Sequence, residues 1–230
     1  MLAPTSGSGK RDARSARLLA ALRRPDRANS GSKSGARLVY VSTSGVYGDR
    51  AGAWTDENMP ATPANDRAWR RLDAERRFRA SPWHACVLRA PGIYGPGRLP
   101  IERLRQGLPV PPTAQDVYTN HIHMQDLARA CIAALFRAAP GRLYNVVDDS
   151  QLLLGQYLDK VADAHALARP PRASWEAVRE AAGPQRMSFL TESRRLRNAR
   201  MKRELRLRLR FPDVDAGLAA QASNSLSTER

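Results

Sequence analysis

Two segments constrain the fold of this chain more than any other: Leu38-Val-Tyr-Val-Ser-Thr-Ser-Gly-Val-Tyr-Gly-Asp49 and Ala85-Cys-Val-Leu-Arg-Ala-Pro-Gly-Ile-Tyr-Gly-Pro-Gly97. Each opens with a short apolar run rich in β-branched and aromatic residues, then breaks into turn formers. That pattern reads as a buried strand. The polar cluster Ser42-Thr43-Ser44 therefore falls at a strand's C-terminal end, where open α/β sheets bind ligands. A stretch of helical composition separates the two strands, which predicts adjacent crossover units of a parallel sheet.

These segments, with Tyr118-Thr-Asn-His-Ile-His-Met-Gln-Asp-Leu-Ala128 and Leu143-Tyr-Asn-Val-Val-Asp148, resemble the extended short-chain dehydrogenase/reductases, the NAD-dependent epimerase/dehydratase family. The resemblance runs over roughly residues 36 to 218 with the motifs in order. It implies an α/β fold with a Rossmann-like parallel sheet and a small substrate-side subdomain towards the C-terminus. It implies NAD or NADP as cofactor, and a nucleotide sugar or other small carbonyl or alcohol compound as substrate. Pro91, Gly92 and Ile93 are carried over as the groups that approach the nicotinamide. Ser44, Tyr47 and Asn120 are carried over as facing the substrate.

Two departures from the family pattern qualify that expectation. The family begins with a strand and a glycine-rich turn whose amides hold the cofactor pyrophosphate at a helix N-terminus. Gly7-Ser-Gly-Lys10 is the only glycine-rich candidate, and it follows Ala-Pro-Thr-Ser instead of an apolar strand. It also fails as a P-loop, since Pro4 stands at the first glycine position and Arg11 at the Ser/Thr position. Only 37 residues precede Leu38, whereas the missing βα units need on the order of a hundred. The sheet is therefore expected to be incomplete on its N-terminal side, as in a truncated family member.

The second departure concerns proton transfer. In the family a Tyr, with a Lys four positions later, acts as general acid/base from the helix between the two strands. Arg67 and Arg71 align with those positions here. A guanidinium stays protonated and cannot exchange protons at neutral pH. Thr43 aligns with the family's catalytic Ser/Thr, and Arg71 retains the capacity to bind a ribose hydroxyl or phosphate. The pattern resembles the atypical branch, which keeps the fold and loses the Tyr. Weak or absent oxidoreductase activity is the expectation. A non-catalytic binding or scaffold role is the alternative.

Composition bounds the remainder. With 42% hydrophobic and 26% charged residues, 230 residues suffice for one substantial core. No apolar run reaches membrane-spanning length and no secretory signal pattern shows, so a cytoplasmic location without membrane partners is expected. Cys86 and Cys131 read as small hydrophobes. The net charge of +16 raises a second alternative, a basic nucleic-acid-associated protein. Met1 to Arg37 carries nine Lys/Arg, and Arg194 to Arg210 another nine without a single aromatic residue. Single-strand binders interleave stacking aromatics, so the alternation of Leu205, Leu207 and Leu209 with arginines is read instead as a C-terminal edge strand. His121 and His123 have no further metal-ligand partners in the pattern, and no metal site is expected.

The expected organisation is a flexible basic tail over 1–36, the C-terminal half of a Rossmann-like domain over 37–150, a substrate-side subdomain over 151–218, and a tail over 219–230. Asn65 or Asp66 is expected to cap a helix running to Ala80. Met124 to Ala138 reads as an amphipathic helix presenting Leu127, Cys131, Ala134 and Leu135. An exposed sheet side leaves homo-oligomerisation open.

Overall fold

The structure, a computed structural model, describes residues 9–22, 37–183 and 190–228. In chain order the elements are α1 (Ala13–Ala21), β1 (Arg37–Thr43), β2 (Trp54–Thr55), α2 (Asp66–Arg79), β3 (His84–Ala90), β4 (Gly92–Tyr94), α3 (Ile101–Arg105), β5 (Tyr118–Thr119) and β6 (His121–His123). There follow α4 (Met124–Arg137), β7 (Leu143–Asn145), β8 (Leu152–Leu153), α5 (Leu154–Ala164), α6 (Trp175–Ala182), β9 (Arg195–Leu196), α7 (Ala199–Glu204) and α8 (Val214–Thr228).

The main sheet has the order β1-β3-β7, all parallel. Among the described residues β1 has no strand on its other side. This is the Rossmann-like α/β arrangement expected from the paired strand-turn segments. Three small ladders extend the structure beyond the sheet's C-terminal ends: β4 with β6, β2 with β9, and β5 with β8.

Alternation along the strands sorts residues between two layers. Tyr40, Ala85 and Val87 face α2, where they pack with Ala74 and Phe78. The Tyr40 and Phe78 rings stack at 4.7 Å. Val39, Val41, Cys86, Leu88 and Ala90 face the opposite layer, built from α4 and from Met201, Leu205 and Leu207. Asn65 caps α2, its side chain accepting from the Ala68 amide at 2.9 Å.

One buried ion pair joins these parts. The Arg89 guanidinium on β3 donates to both carboxylate oxygens of Glu75 on α2, with a shortest contact of 2.6 Å. Ser42 on β1 donates to the same carboxylate at 2.6 Å. Both charged residues are almost completely buried.

Several sequence expectations are corrected by these elements. Part of the expected tail over 1–36 is ordered: α1 docks on α2, and the Asp12 amide donates to Asp73. Residues 205–210 are not an edge strand. Arg206 adopts a left-handed backbone, φ 49°, which breaks the period-two geometry although Leu205 and Leu207 are both buried. Packing crosses position 150 in both directions: Met201, Leu205 and Leu207 join the β3 and β7 core, while Leu158, Val161, Val214 and Leu218 form a separate cluster with Tyr94, Leu104 and Val110. The expected tail over 219–230 is helical as far as Thr228. On α4 the buried stripe is Asp126, Leu127, Ala130 and Ala134, while Cys131 and Leu135 sit at its flank. Cys86 is buried and Cys131 half-buried, both as free thiols.

Removing one partner of a buried pair leaves an uncompensated charge in a dry interior. Arg89→Met is expected to cost about 3–5 kcal/mol, whereas Glu75→Leu combined with Arg89→Met recovers most of the loss. Urea unfolding midpoints of the two variants check both halves of that statement.

Candidate functional site

The C-terminal ends of β1 and β3 open onto a cavity of about 420 Å³. Its base is Thr43, Ser44 and Gly45, held in a 3-10 turn in which the Thr43 hydroxyl accepts from the Gly45 amide at 3.1 Å. Pro91 and Gly92 form the adjoining edge. Gly92 allows close approach: its amide donates to the Asn120 carbonyl at 3.1 Å, and a Cβ there would lie 3.2 Å from that oxygen. Leu154, Tyr157 and Leu158 of α5 supply an apolar wall.

The charged lining comes from three separate elements. Arg67 projects from the first turn of α2, Arg103 from α3, and Arg194 from the segment before β9. Glu192 is the one carboxylate among the described lining residues. Arg194 pairs with it at 2.8 Å and also donates to the Gly48 carbonyl at 2.7 Å. Three cations against one carboxylate leave the cavity electropositive, which favours an anionic guest.

Behind the wall lies a set of buried polar groups. His121 stacks on Tyr157 with ring centroids 3.9 Å apart. Burial holds its pKa down to about 3, so the imidazole is neutral. Asp148 is 3% exposed; burial pushes its carboxyl up to about 8, while the Ser150 amide and hydroxyl act in the opposite sense. Burial, followed by the charge of Asp148, raises the Tyr157 phenol above its ordinary value. His123 uses its Nδ1 to cap α4, accepting from the Gln125 amide at 3.3 Å. Among the described residues no group of three or more His, Cys, Asp or Glu is placed to hold a metal ion.

This geometry can be set beside known proteins. Residues 13–147, more than half of the chain, match the model of the NAD dependent epimerase/dehydratase family. The chain belongs to the NAD-dependent epimerase/dehydratase family. A functionally unknown conserved protein from Silicibacter pomeroyi is 34% identical and superposes with a TM-score of 0.74, over 82% of this chain and 66% of that one. The human epimerase family protein SDR39U1, solved with NADPH, has the same coverage at 21% identity and a TM-score of 0.69. Human dTDP-D-glucose 4,6-dehydratase is 28% identical over 123 residues, 48% of this chain and 35% of the human protein. The chain thus spans about two thirds of the solved relatives and about a third of the curated one.

Within this family framework the structure divides the expected site residues. Thr43, Ser44, Pro91, Gly92 and Asn120 converge on the cavity. Asn120 does so as a strap: its amide nitrogen donates to the Arg194 carbonyl and its oxygen accepts from the Leu196 amide, each at 2.9 Å. Tyr47 does not face the cavity. Its turn folds inward, and its hydroxyl donates to Asn145 at 2.8 Å beneath the Arg89 guanidinium. Ile93 packs against the α4-side core, away from the lining. Arg71 is one turn further along α2 than Arg67 and donates to the Tyr40 hydroxyl at 3.2 Å, so it lies outside the lining. Arg103, Glu192, Arg194, Tyr118 and Tyr157 line the cavity without having been singled out from sequence. For Arg194 the basic run itself hid the signal, because a chain with nine cations in seventeen residues gives no reason to choose one.

The family implies a nicotinamide dinucleotide, and the described residues fit it only at one end. Pro91 and Gly92 line the cavity just beyond β3, where the family would place a flat ring. Among the described residues the pyrophosphate has no cradle. The α1 N-terminus is filled by the Asp12 carboxylate, which accepts from the Arg14 amide at 3.0 Å and the Ser15 amide at 3.3 Å. The Gly9 amide is taken by Asp66 at 2.8 Å. Gly7 and Ser8 of the glycine-rich candidate lie outside the described residues.

The buried acid and imidazole give opposite pH signatures. Asp148 binds its proton more tightly when folded, so its contribution to stability falls as pH rises from about 4 through about 8. His121 resists protonation when folded, so its contribution is lost as pH falls from 6.5 through about 3. Above pH 6.5 only the Asp148 effect of the two remains. Asp148→Asn is therefore expected to flatten the decline in thermal midpoint between pH 6.5 and 8, measured by calorimetry against the wild type.

Proposed function

We propose that the cavity binds a small phosphate-bearing carbonyl or alcohol compound of the nucleotide-sugar kind, with NAD(P)-linked epimerase/dehydratase-type chemistry weak or absent in this chain. The observation that carries this reading is the lining itself. Arg67, Arg103 and Arg194 line one cavity together with Thr43 and Ser44. Guanidinium groups are suited to planar, multiple hydrogen bonding with phosphate oxygens. The name of the human relative, a dTDP-D-glucose dehydratase, points to the same ligand class.

Proton transfer is the step that the substitution at position 67 affects. Arg67 stands where the resembled enzymes place their acid/base Tyr, and a guanidinium stays protonated at neutral pH and cannot serve as a base. Thr43 accepts from the Gly45 amide and keeps its O–H to donate to a substrate oxygen, which positions a ligand but does not replace the acid/base Tyr. No step through the dinucleotide follows from the residues described. The non-catalytic alternative is favoured by the same substitution, since a fixed cation anchors a ligand without turning it over.

Isothermal titration with uridine diphosphate tests this reading. Saturable binding is expected, and Arg67→Ala is expected to weaken it about tenfold, equivalent to about 1.4 kcal/mol, with an unchanged thermal midpoint because Arg67 is exposed. Oxidation of NADPH or NADH with a UDP-sugar is expected to stay at background. Turnover abolished by Thr43→Ala would overturn the inactive assignment, and absence of any diphosphate binding would overturn the ligand class.

A further inference from the structure

The core stripe of α4 faces the sheet, but the opposite side of the helix is not polar. Ile132 is 59% exposed and Phe136 76% exposed. Alongside them runs the kinked segment 205–208, in which Leu205 and Leu207 are buried and Arg206 and Arg208 point outward. The helix and this segment enclose a groove of about 520 Å³ that shares no residue with the cavity described above. Its apolar lining includes Ile132, Phe136 and Leu207. Its charged lining is Arg129, Arg137, Arg206 and Arg208, with no carboxylate among the described residues.

Two of these arginines are anchored within the chain. Arg129 pairs with Asp126, and Arg137 donates to the Leu205 carbonyl, both at 2.7 Å. Arg206 and Arg208 make no hydrogen bond or ion pair with any described residue. Arg206 moreover holds a backbone conformation that L side chains rarely adopt. Exposed aromatic and branched residues rimmed by charge mark an interaction surface.

We propose that this groove docks an amphipathic helix from an acidic partner polypeptide, its apolar stripe seated on Ile132 and Phe136 and its flanking carboxylates paired with the arginine rim. Charge complementarity selects this occupant. A second copy of the chain would bring another +16 surface against the same rim. The groove's Leu207 floor is buried between cationic rims, so a helical ridge reaches it where a flat lipid surface would touch only Ile132 and Phe136. Helix-in-groove recognition of this kind reads apolar anchors at helical spacing.

The test is fluorescence anisotropy of the full chain with a labelled helical peptide carrying a Leu/Phe stripe flanked by Glu. Binding is expected with a Kd of about 10 μM or tighter, weakening as salt is added. Phe136→Ser, and Arg206→Gly combined with Arg208→Ser, should each weaken it tenfold or more without lowering the thermal midpoint. Glycine at 206 suits the left-handed backbone, so the second variant keeps its fold. Equal binding of a scrambled peptide of the same composition, or indifference to Phe136→Ser, would reduce the effect to bulk charge and overturn the proposal. It would likewise be overturned if the helical peptide did not bind, while phosphatidylserine vesicles or a single-stranded oligonucleotide bound and were released by the same variants.

Discussion

The Glu75–Arg89 pair is the contact on which the other layers depend. It lies where α2, β1, β3 and the turn after β1 meet, and each of them is tied to it. Ser42 reaches Glu75 from β1, and Tyr47 lies against the Arg89 guanidinium while its hydroxyl bonds Asn145 of β7. Two charges in a dry interior are costly to desolvate, so the pair adds little net stability. Its effect is on specificity: any arrangement of α2 over the sheet that separates the partners leaves a bare charge buried. The register of α2 sets where Arg67 emerges, and so the core pair aligns the cavity rim.

The cavity is assembled from parts far apart in sequence, and small polar straps hold them. Asn120 spends both ends of its amide on the segment 194–196. The Asp49 carboxylate accepts from the Ser193 amide, and the Ser193 hydroxyl accepts from the Tyr118 amide. These bonds fix the backbone on either side of Arg194, while Glu192 and the Gly48 carbonyl fix its side chain. A long flexible cation thereby loses its rotamer freedom before any ligand arrives, which lowers the entropy cost of binding.

The parallel strands and the helix between them were legible because their patterns are local. Period two in β1 separates Tyr40 from Val41, and Asn65 announces the start of α2. The segment 205–210 misled for the same reason. Its alternation of leucine and arginine is correct about which residues are buried, but one left-handed residue at Arg206 removes the strand geometry. Within the site, residues close to the strand ends, such as Thr43 and Gly92, could be placed from their motifs. Tyr47 could not, because whether a turn residue faces ligand or core depends on Arg89 and Asn145, distant in sequence. Arg194 and Tyr157 are brought to the cavity only by tertiary packing, which no window of sequence displays.

The arginine at position 67 has one more consequence. A tyrosine in that place would make the mouth of the cavity a titrating group, its charge following the solution. The guanidinium keeps its charge at every pH at which a protein stays folded, and the imidazole behind the wall is held neutral. The cationic side of the lining is therefore a constant of the molecule, like a fixed electrode. Near neutrality, a change in affinity with acidity would report the ionisation of the guest or of Asp148 behind the wall, and not that of the arginines.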